Sequence, residues 1–444
     1  MFKKILIANR GEIAVRIIRT CREMGIETVA IYSEADHNAL HVQMADEAIC
    51  VGPAKTIDSY LNIENIISAT VLSGAEAIHP GFGFLSENSK FAKMCRECNI
   101  IFIGPKGEHM DQMGNKSQAR ETMIKAGIPV VPGSNGAIES AKEGFQIAKE
   151  IGFPVMIKAS LGGGGKGMRI AQNEKEFMKV FSLAQKEAQS FFGNSTMYVE
   201  KYIENPRHIE FQILADQYGN VIHLGERDCS IQRRHQKVME ETPSPVMTSN
   251  LRQVMGEAAV QAAKTIGYQS VGTIEFLLDA SQKFYFMEMN TRIQVEHPIT
   301  EMVTGLDLIE EQIKIAAGFP LSYKQKDIHF HGHAIECRIN AEDPEKNFMP
   351  SPGTITELYI PGGLGIRVDS AIYHGYTIPP YYDSMIAKLI VYAEDREKAI
   401  LRMKRALGEF IIQGVHTNID FQYDILHDIN FQKGEYDTGF IETR

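Results

Sequence analysis

Several features that are common in other protein classes are missing from this chain. Its longest apolar runs, such as residues 155–157, fall far short of the roughly 20 residues that a membrane-spanning helix needs. There is no long basic run, and the formal net charge of −10 argues against general binding to nucleic acid. Polar residues from Asn9 onward interrupt the apolar N-terminus, which makes it a poor signal peptide and a good first strand. We therefore expect neither a membrane nor a nucleic acid as a partner.

Cysteine is also sparse. The six cysteines are scattered, and Cys95 and Cys98 form the only Cys-x-x-Cys pair, without the second pair or the histidines of a zinc site. Reduced thiols indicate a reducing compartment, and we predict a cytoplasmic protein. With 444 residues, of which 44% are hydrophobic and 23% charged, the chain is long enough for two or three globular domains.

The first part of the chain, residues 1 to about 110, alternates short apolar runs with helical spacing. This pattern predicts an open, Rossmann-like parallel α/β sheet. Residues 9–12, NRGE, follow the first strand but do not match GxGxxG, so a dinucleotide site there is unsupported. Residues 79–88, HPGFGFLSEN, form a glycine-rich turn with Ser86 as a candidate helix cap. Such a turn either faces a ligand site or is only a tight connection, and both interpretations stay open.

A glycine-rich segment lies between two predicted strands. A helix predicted over 111–126 carries Lys116, and a strand over 154–159 ends near Lys158. The segment GGGGKG follows at 162–167. It is not a dinucleotide-binding loop, because a strand is predicted after it where that fold needs a helix. It is not a P-loop either, because Met168 stands where a P-loop needs lysine. Four consecutive glycines favour a flexible flap whose amides fold over polyphosphate, rather than a plain hairpin turn.

The densest polar pattern lies in residues 284–298, FYFMEMNTRIQVEHP. A run rich in β-formers at 271–278 precedes it, separated by a four-residue turn, and this register places Glu275 opposite Phe286 and diagonal to Glu288. Carboxylate and amide oxygens suit Mg²⁺ or Mn²⁺, so we predict a metal–phosphate site, with a solvated edge strand as the alternative. A period of two places five polar side chains of the second run on one face: Glu288, Asn290, Arg292, Gln294 and Glu296.

A second charged set indicates a site for a small anion beside the metal. The segment 226–238, ERDCSIQRRHQKV, brings Lys237, although a solvated loop is the simpler interpretation of it. Arg292 is suited to gripping a planar carboxylate-like anion, and Glu296 to taking a proton from it. Arg338, in a strand predicted over 333–340, is suited to stabilising negative charge that develops on an acceptor.

These motifs, in their order, resemble the ATP-grasp superfamily, and the full set is similar to the biotin carboxylase family. The similar segments are NRGEIAVRI, HPGFGFLSEN, GGGGKGMR, ERDCSIQRRHQKV, MEMNTRIQVEHPITE and AIECRINAEDP, and the match runs from Lys3 to about His416. The resemblance implies three parts: an N-terminal domain at 1–114, an ATP-grasp domain at 115–330 with a mobile lid at about 131–203, and a mainly antiparallel C-terminal β domain at 331–444.

The resemblance also implies roles by position. Glu296 would deprotonate bicarbonate, which attacks the γ-phosphate of ATP to give carboxyphosphate, and Arg338 would stabilise the biotin enolate that takes the carboxyl group. Glu275, Glu288 and Asn290 would hold Mg²⁺ or Mn²⁺, and Lys237, Arg292, Gln294 and the backbone of Val295 would hold bicarbonate. The residues expected to contact ATP are Lys116, Lys158, Gly164, Gly165, Glu200, Lys201, Tyr202, Ile203, His208, Gln232 and His235.

Partners follow from the same resemblance. It implies a biotin carboxyl carrier protein, carboxyltransferase subunits and a homodimer, with Arg19, Glu23 and Arg367 as candidate interface residues. No Ala-Met-Lys-Met biotinylation motif occurs, so we expect the free-standing subunit of an acetyl-CoA carboxylase. The alternatives are a subunit or fragment of another acyl-CoA or pyruvate carboxylase, an ATP-grasp carboxylate–amine ligase, and a non-catalytic nucleotide-binding regulator. The regulator would need neither Glu296 nor Arg338.

Overall fold

The computed structural model describes residues 1–134, 136–159 and 168–444, apart from the side chain of Phe192. The N-terminal part is a parallel sheet of five strands in the order β3-β2-β1-β4-β5, which confirms the predicted α/β fold. Its strands are β1 (Lys4–Ile7), β2 (Glu27–Ser33), β3 (Glu47–Gly52), β4 (Ala77–His79) and β5 (Ile101–Phe102). Its helices are α1 (Gly11–Glu23), α2 (Leu40–Met44), α3 (Ile63–Ser73), α4 (Ser89–Glu97) and α5 (Gly107–Gly114).

Two helix boundaries differ from those expected. The cap of α4 is Asn88, whose side chain accepts from the Phe91 amide at 2.9 Å, so the prediction of Ser86 as the cap was wrong. The single helix predicted over 111–126 is two helices, because Asn115 ends α5 and caps α6 (Lys116–Lys125) by accepting from the Gln118 amide. Lys116 therefore lies in the first turn of a helix.

A small antiparallel sheet of order β7-β6-β8 follows, covered on one side by two helices. Phe177 and Phe181 of α8 pack into its core with Val155 and Val199. The glycine flap predicted at 162–167, including Gly164 and Gly165, lies outside the described residues. The elements are α7 (Ala141–Ile151), β6 (Val155–Ala159), β7 (Met168–Ala171), α8 (Glu174–Phe192) and β8 (Met197–Lys201).

The largest element is an antiparallel sheet of eight strands, in the order β13-β12-β9-β10-β11-β14-β21-β19. It is continuous across residue 331, where the sequence predicts a domain boundary. The strands after β8 are β9 (Arg207–Ala215), β10 (Val221–Arg233), β11 (Gln236–Thr242), β12 (Ser270–Leu278), β13 (Phe284–Asn290), β14 (His333–Asn340), β15 (Glu342–Asp343), β16 (Met349–Pro350), β17 (Gly353–Thr354), β18 (Glu357–Tyr359), β19 (Ile366–Ser370), β20 (Thr377–Ile378), β21 (Met385–Ala393) and β22 (Ile411–Gln413).

Helices cover both halves of this sheet. Met255 and Ala259 of α9 pack in the core beside β9 and β12, and Met403 and Leu407 of α12 pack in the core beside β14 and β21. None of the described helices has the length and apolarity needed to cross a membrane. The remaining helices are α9 (Ser249–Thr265), α10 (His297–Thr304), α11 (Leu308–Ala316), α12 (Arg396–Glu409), α13 (Ile419–His427) and α14 (Ile429–Lys433).

The register of the β12–β13 hairpin differs from the predicted one. A β-bulge after Glu275 places Glu275 directly opposite Glu288, and Phe276 rather than Glu275 opposite Phe286. The strand ends at Asn290, so the expectation of one strand face reaching to Glu296 was wrong. The segment 291–296 leaves the sheet instead, which brings its polar side chains to the site from a different direction.

The charged segment 226–238 is not a solvated loop, so that interpretation was wrong. Its residues form the end of β10 and the start of β11, and most of them are buried. Arg233 pairs with Gln236 across a two-residue turn in which Arg234 and His235 have positive φ of 50° and 63°. A tight turn of this kind usually carries glycine or asparagine, so the two bulky side chains are held there under strain.

A buried ion cluster ties the C-terminal segment to the sheet and predicts a pH dependence of stability. Glu241 of β11 accepts hydrogen bonds from His333, Arg396 and Tyr436. Burial raises the pKa of Glu241, but Arg396 and His333 lower it by more, so the net pKa lies below its usual range. A carboxylate with a lowered folded-state pKa stabilises the fold above its unfolded pKa and loses that contribution as the pH falls.

We therefore expect acid to destabilise the wild type more steeply than Glu241→Gln. The two unfolding free energies should differ at neutral pH and converge as the pH drops below about 4, the unfolded pKa of glutamate. Urea unfolding at a series of pH values measures this. Parallel curves would show that the Glu241 cluster does not set the acid sensitivity.

Candidate active site

A cleft of about 1040 Å³ opens between the N-terminal part, the small sheet and the large sheet. It collects the predicted site residues from segments that are far apart in the sequence. Glu296 lies just behind its wall, fully buried. The predicted residues that line the cleft are Lys116, Lys158, Glu200, Lys201, Tyr202, Ile203, His208, Gln232, His235, Lys237, Glu275, Glu288, Asn290, Arg292, Gln294, Val295 and Arg338.

The residues predicted to bind ATP lie on the side of the cleft formed by the small sheet. Lys158 at the end of β6 pairs with Glu200 of the neighbouring strand β8, so the lysine is held without being buried. Lys201 donates instead to the carbonyl oxygens of Gly152 and Phe153, at 3.1 and 2.8 Å. Lys158 is thus the better placed of the two ammonium groups for a phosphate, while Lys201 fixes the strand end.

Three oxygen-bearing side chains lie together on the β12–β13 hairpin. The carboxylate of Glu275 accepts from the side-chain amides of Asn290 at 2.8 Å and Gln294 at 3.0 Å. Desolvation and the negative charge of Glu275 raise the pKa of Glu288, and Lys116 lies 3.9 Å from Glu288. Two carboxylates that face each other across a ladder repel, and a divalent cation between them relieves that repulsion. The donor set of Glu275, Glu288 and Asn290 therefore fits Mg²⁺.

Two other groups of acidic side chains in the described part of the chain already hold cationic side chains. His208, Glu210 and Glu275 form one group, and Glu210, Cys229 and Glu296 form the other. Glu210 pairs with Arg227 at 2.5 Å and with Lys237 at 2.5 Å, and the guanidinium of Arg227 is fully buried. These groups are therefore ion-pair clusters, and Glu275 is the member of the first group that also belongs to the set that fits Mg²⁺.

Lys237 occupies the centre of three carboxylates. Its ammonium group lies 2.5 Å from Glu210, 2.6 Å from Glu296 and 3.0 Å from Glu275. Burial lowers the pKa of Lys237, but the surrounding carboxylates raise it by more, so this lysine stays charged. A single ammonium group thereby links the β12–β13 hairpin to the predicted base.

Glu296 bridges two cations with its two oxygens. Oε1 accepts from Lys237 at 2.6 Å, and Oε2 accepts from the guanidinium of Arg338 at 2.9 Å. Burial raises the pKa of Glu296, but Lys237 and Arg338 lower it by more, and the net pKa lies well below the usual range. Arg338 also pairs with Glu240 at 2.6 Å, so it stays in place when Glu296 changes its charge.

Arg292 is held by two of the predicted site residues and by Glu87, which the sequence pattern did not single out. Its Nε donates to Glu87 at 2.9 Å, and Glu87 also accepts from the Thr291 amide at 3.0 Å. Its terminal nitrogens donate to Gln294 at 2.8 Å and Asn290 at 3.1 Å. Glu87 belongs to the turn HPGFGFLSEN, and its contact with Arg292 favours the interpretation of that turn as part of the site.

The other residues that sequence reasoning missed are buried charges beneath the cleft. Glu210, Arg227 and Glu240 lie on β9, β10 and β11 with little or no solvent exposure. The sequence does mark such positions, because charged residues recur with a period of two in strands that are otherwise apolar, as in the run around His208 and Glu210. Charge at such positions must be paired in the fold, because an unpaired buried charge is costly.

The comparisons with known proteins agree with this geometry along the whole chain. Residues 1–110, 115–324 and 336–443 match the family profiles described as Biotin carboxylase, N-terminal domain; Carbamoyl-phosphate synthase L chain, ATP binding domain; and Biotin carboxylase C-terminal domain. Biotin carboxylase 1 of Bacillus subtilis is 62% identical over 444 residues, which are 100% of this chain and 99% of that protein.

Solved structures show the same fold. A biotin carboxylase from Campylobacter jejuni, crystallised as a β-γ-ATP complex, has a TM-score of 0.96 and 52% identity, and the match covers 100% of this chain and 99% of that one. The biotin carboxylase domain dimer of Hydrogenobacter thermophilus 2-oxoglutarate carboxylase, in complex with MgADP, ADP and bicarbonate, has a TM-score of 0.94 and 55% identity, and the match covers 100% and 98%. The predicted three-part fold with a central ATP-grasp module is thereby confirmed, and the chain belongs to the biotin carboxylase family.

Proposed function

We propose that the chain carboxylates biotin on a separate carrier protein, as the first half-reaction of an acetyl-CoA carboxylase in malonyl-CoA and fatty acid synthesis. As a biotin carboxylase it is an ATP-dependent carboxylating ligase that uses ATP, Mg²⁺ and biotin. The observation that carries the residue roles is the position of Glu296, a buried carboxylate behind the wall of the cleft that binds both Lys237 and Arg338, which line it. Nucleotide binding alone would need no such carboxylate.

In the first step Glu296 takes the proton of bicarbonate. Its lowered pKa keeps it ionised before the anion arrives. A bicarbonate held by Arg292 and Lys237 brings a second negative charge beside Glu296, which raises its pKa toward the range of a working base. The deprotonated oxygen then attacks the γ-phosphorus of ATP, the bond to ADP breaks, and carboxyphosphate forms.

In the second step the carboxyl group passes to biotin. Carboxyphosphate separates into CO₂ and phosphate, and the phosphate takes the proton from N1′ of biotin. Negative charge then develops on the ureido oxygen, and the guanidinium of Arg338 is the cation placed to stabilise it. N1′ then attacks the carbon of CO₂, and the new N–C bond gives carboxybiotin. The pairing of Arg338 with both Glu240 and Glu296 fixes it for this role, because neither contact depends on a bound ligand.

The residues that would hold Mg²⁺ are Glu275, Glu288 and Asn290. When bound, the cation neutralises phosphate oxygens and so lowers the barrier to phosphoryl transfer.

We expect Glu288→Gln to raise the Mg²⁺ concentration needed for half-maximal ATP cleavage by about tenfold or more. Loss of a residue that only hydrogen-bonds to a metal ligand already lowers metal affinity by about tenfold, and Glu288 would be a ligand itself. A Mg²⁺ titration of ATP cleavage measures this, with the exposed Glu357→Gln as the matched control. An unchanged Mg²⁺ requirement would remove Glu288 from the site.

ATP turnover tests the reaction itself. The expected result is phosphate release that requires bicarbonate and increases with free biotin. Release that requires an amino acid or peptide, but not bicarbonate with biotin, would support a carboxylate–amine ligase. Tight ATP binding without biotin-stimulated release would support the regulator.

The choice of acetyl-CoA carboxylase rests on the resemblance of the motifs to its free-standing subunit, and the relatives also include subunits of a pyruvate carboxylase and of a 2-oxoglutarate carboxylase. The Bacillus subtilis biotin carboxylase is 62% identical, and the biotin carboxylase domain of the 2-oxoglutarate carboxylase is 55% identical. Mixing the protein with a biotinylated carrier and each type of carboxyltransferase decides between them. We expect malonyl-CoA from acetyl-CoA, and carboxylation of a keto acid instead would overturn this assignment.

The assembly is also part of the proposal. We propose a cytoplasmic homodimer that works with the carrier protein and the carboxyltransferase subunits. Its support is the dimer of the Hydrogenobacter thermophilus domain and the free state of all six cysteines. Arg19, Glu23 and Arg367 stay predictions for the interface, and Arg367 already pairs within the chain with Glu301 and Asp369. Light scattering of the purified protein measures its mass.

A further inference from the structure

One buried lysine contacts the segment that carries the base. Lys388 of β21 has no solvent exposure, and its ammonium group donates to the carbonyl oxygen of Val295 at 2.9 Å. Val295 lines the cleft and directly precedes Glu296. Lys388 is absent from every residue set that the sequence predicted, because it stands alone in the apolar strand MIAKLIVYA.

The segment around Val295 is irregular, so its backbone depends on such contacts. The carbonyl oxygens on either side, of Gln294 and Glu296, lie 3.4 and 3.3 Å from the amides of His297 and Ile299 at the start of α10. The carbonyl between them accepts from Lys388 instead. Val295 is only partly buried, and the partner of its carbonyl is supplied by a side chain of the large sheet.

The position of Lys388 in the sheet relates it directly to Arg338. The two residues are paired across β21 and β14, and their neighbour across the next strand is Asp369. Arg338 binds the carboxylate of Glu296, while Lys388 binds the carbonyl of Val295. Two cross-strand neighbours thus hold two consecutive residues of the segment.

The charge of Lys388 is balanced from two other elements. Glu12 of α1 lies 3.2 Å from its ammonium group, and Asp369 of β19 lies 3.9 Å away. The ring of Phe82, which lines the cleft, is centred 5.8 Å from the ammonium group. Contacts with the N-terminal part and with the large sheet therefore fix the position of Lys388, independently of its contact with Val295.

We propose that Lys388 is a positioning residue for the first step, the deprotonation of bicarbonate, and that it sets the place of Glu296 and of the bicarbonate site through the carbonyl of Val295. This inference rests on the proposed role of Glu296 as the base. The contacts of Lys388 within the described part of the chain are with Val295, Glu12, Asp369 and Phe82, none of which is predicted to bind ATP or the metal. Its loss therefore affects the use of bicarbonate and leaves the use of ATP intact.

Steady-state kinetics of Lys388→Met test the inference. We expect kcat/KM for bicarbonate to fall by about 10- to 100-fold, the effect of a displacement near 1 Å at a reacting group, with KM for ATP unchanged. Lys398→Met, at an exposed lysine of α12, is the matched control and should behave as the wild type. A purely structural role would lower the melting temperature and leave kcat/KM for bicarbonate of the folded enzyme intact.

A double variant tests whether the defect comes from an unpaired buried acid rather than from the lost contact with Val295. In Lys388→Met, Glu12 loses its counter-charge, so Glu12→Gln combined with Lys388→Met removes that unpaired acid without restoring the contact to Val295. The bicarbonate defect should persist in the double variant. Its recovery, or an equal loss in the ATP and bicarbonate parameters, would overturn the inference. A wild type without bicarbonate-dependent ATP cleavage would overturn the proposed function instead.

Discussion

Replacing Glu296 with glutamine is expected to lower biotin carboxylation by about 10²- to 10⁴-fold, the contribution that a positioned general base makes. The amide keeps the shape of the carboxylate but does not take the proton of bicarbonate. ATP affinity is expected to stay at the wild-type level, because Glu296 contacts Lys237 and Arg338 and lies away from the lysines of the ATP side. Carboxylation rates and ATP titrations of the same preparation measure both quantities.

The fold should tolerate this replacement. Without the charge of Glu296, Lys237 keeps Glu210 and Glu275, and Arg338 keeps Glu240. Glu311→Gln is the matched control, since Glu311 is a buried glutamate that pairs with Lys314 outside the cleft. A Glu296→Gln enzyme with a near wild-type rate would show that another group takes the proton.

Replacing Lys237 with methionine is expected to affect stability as well as activity. The change leaves Glu210, Glu275 and Glu296 as neighbouring buried carboxylates without their shared cation. Loss of one partner from a buried ion pair typically lowers the free energy of unfolding by about 3–5 kcal/mol. Carboxylation should be lost together with the bicarbonate contact. Chemical denaturation and the carboxylation assay measure the two effects.

A second replacement separates the two effects of Lys237. Glu210→Gln in the Lys237→Met background removes one of the three neighbouring carboxylates that share Lys237, which lessens their mutual repulsion, and we expect it to restore part of the stability. Carboxylation should stay absent, because the ammonium group that holds bicarbonate is still missing. Equal stability of Lys237→Met and the wild type would mean that the carboxylates find other partners, and restored activity would exclude Lys237 from bicarbonate binding.

The sequence predicted the parallel sheet and the residues around the cleft because their signals are local. Lys158 lies at the end of an apolar strand, and Glu275, Glu288 and Asn290 lie on a hairpin with a short turn. The register of that hairpin was wrong, because a β-bulge adds one residue without a clear mark in the sequence. The direct pairing of Glu275 with Glu288 therefore appears only in the structure.

The partners of the buried charges beneath the cleft could not be predicted from the sequence. Lys388 and Glu210 are charged residues in buried strands, which implies that each has an oppositely charged or polar partner. Their partners, Val295 for Lys388 and Arg227 for Glu210, come from other strands and segments. Which groups meet depends on strand order and register, which are set by packing over the whole sheet.

The continuous eight-stranded sheet has a consequence for exchanging parts between related enzymes. Between β11 and β14, Met239 pairs with Cys337 and Thr242 with Ala334, so a cut near residue 331 would leave β11 as an open edge. Exposed edges of this kind recruit other chains and aggregate. Among the described strands, the small sheet β6–β8 shares none with the large sheet. Chimeric enzymes should therefore accept a foreign small sheet, but not a foreign set of C-terminal strands.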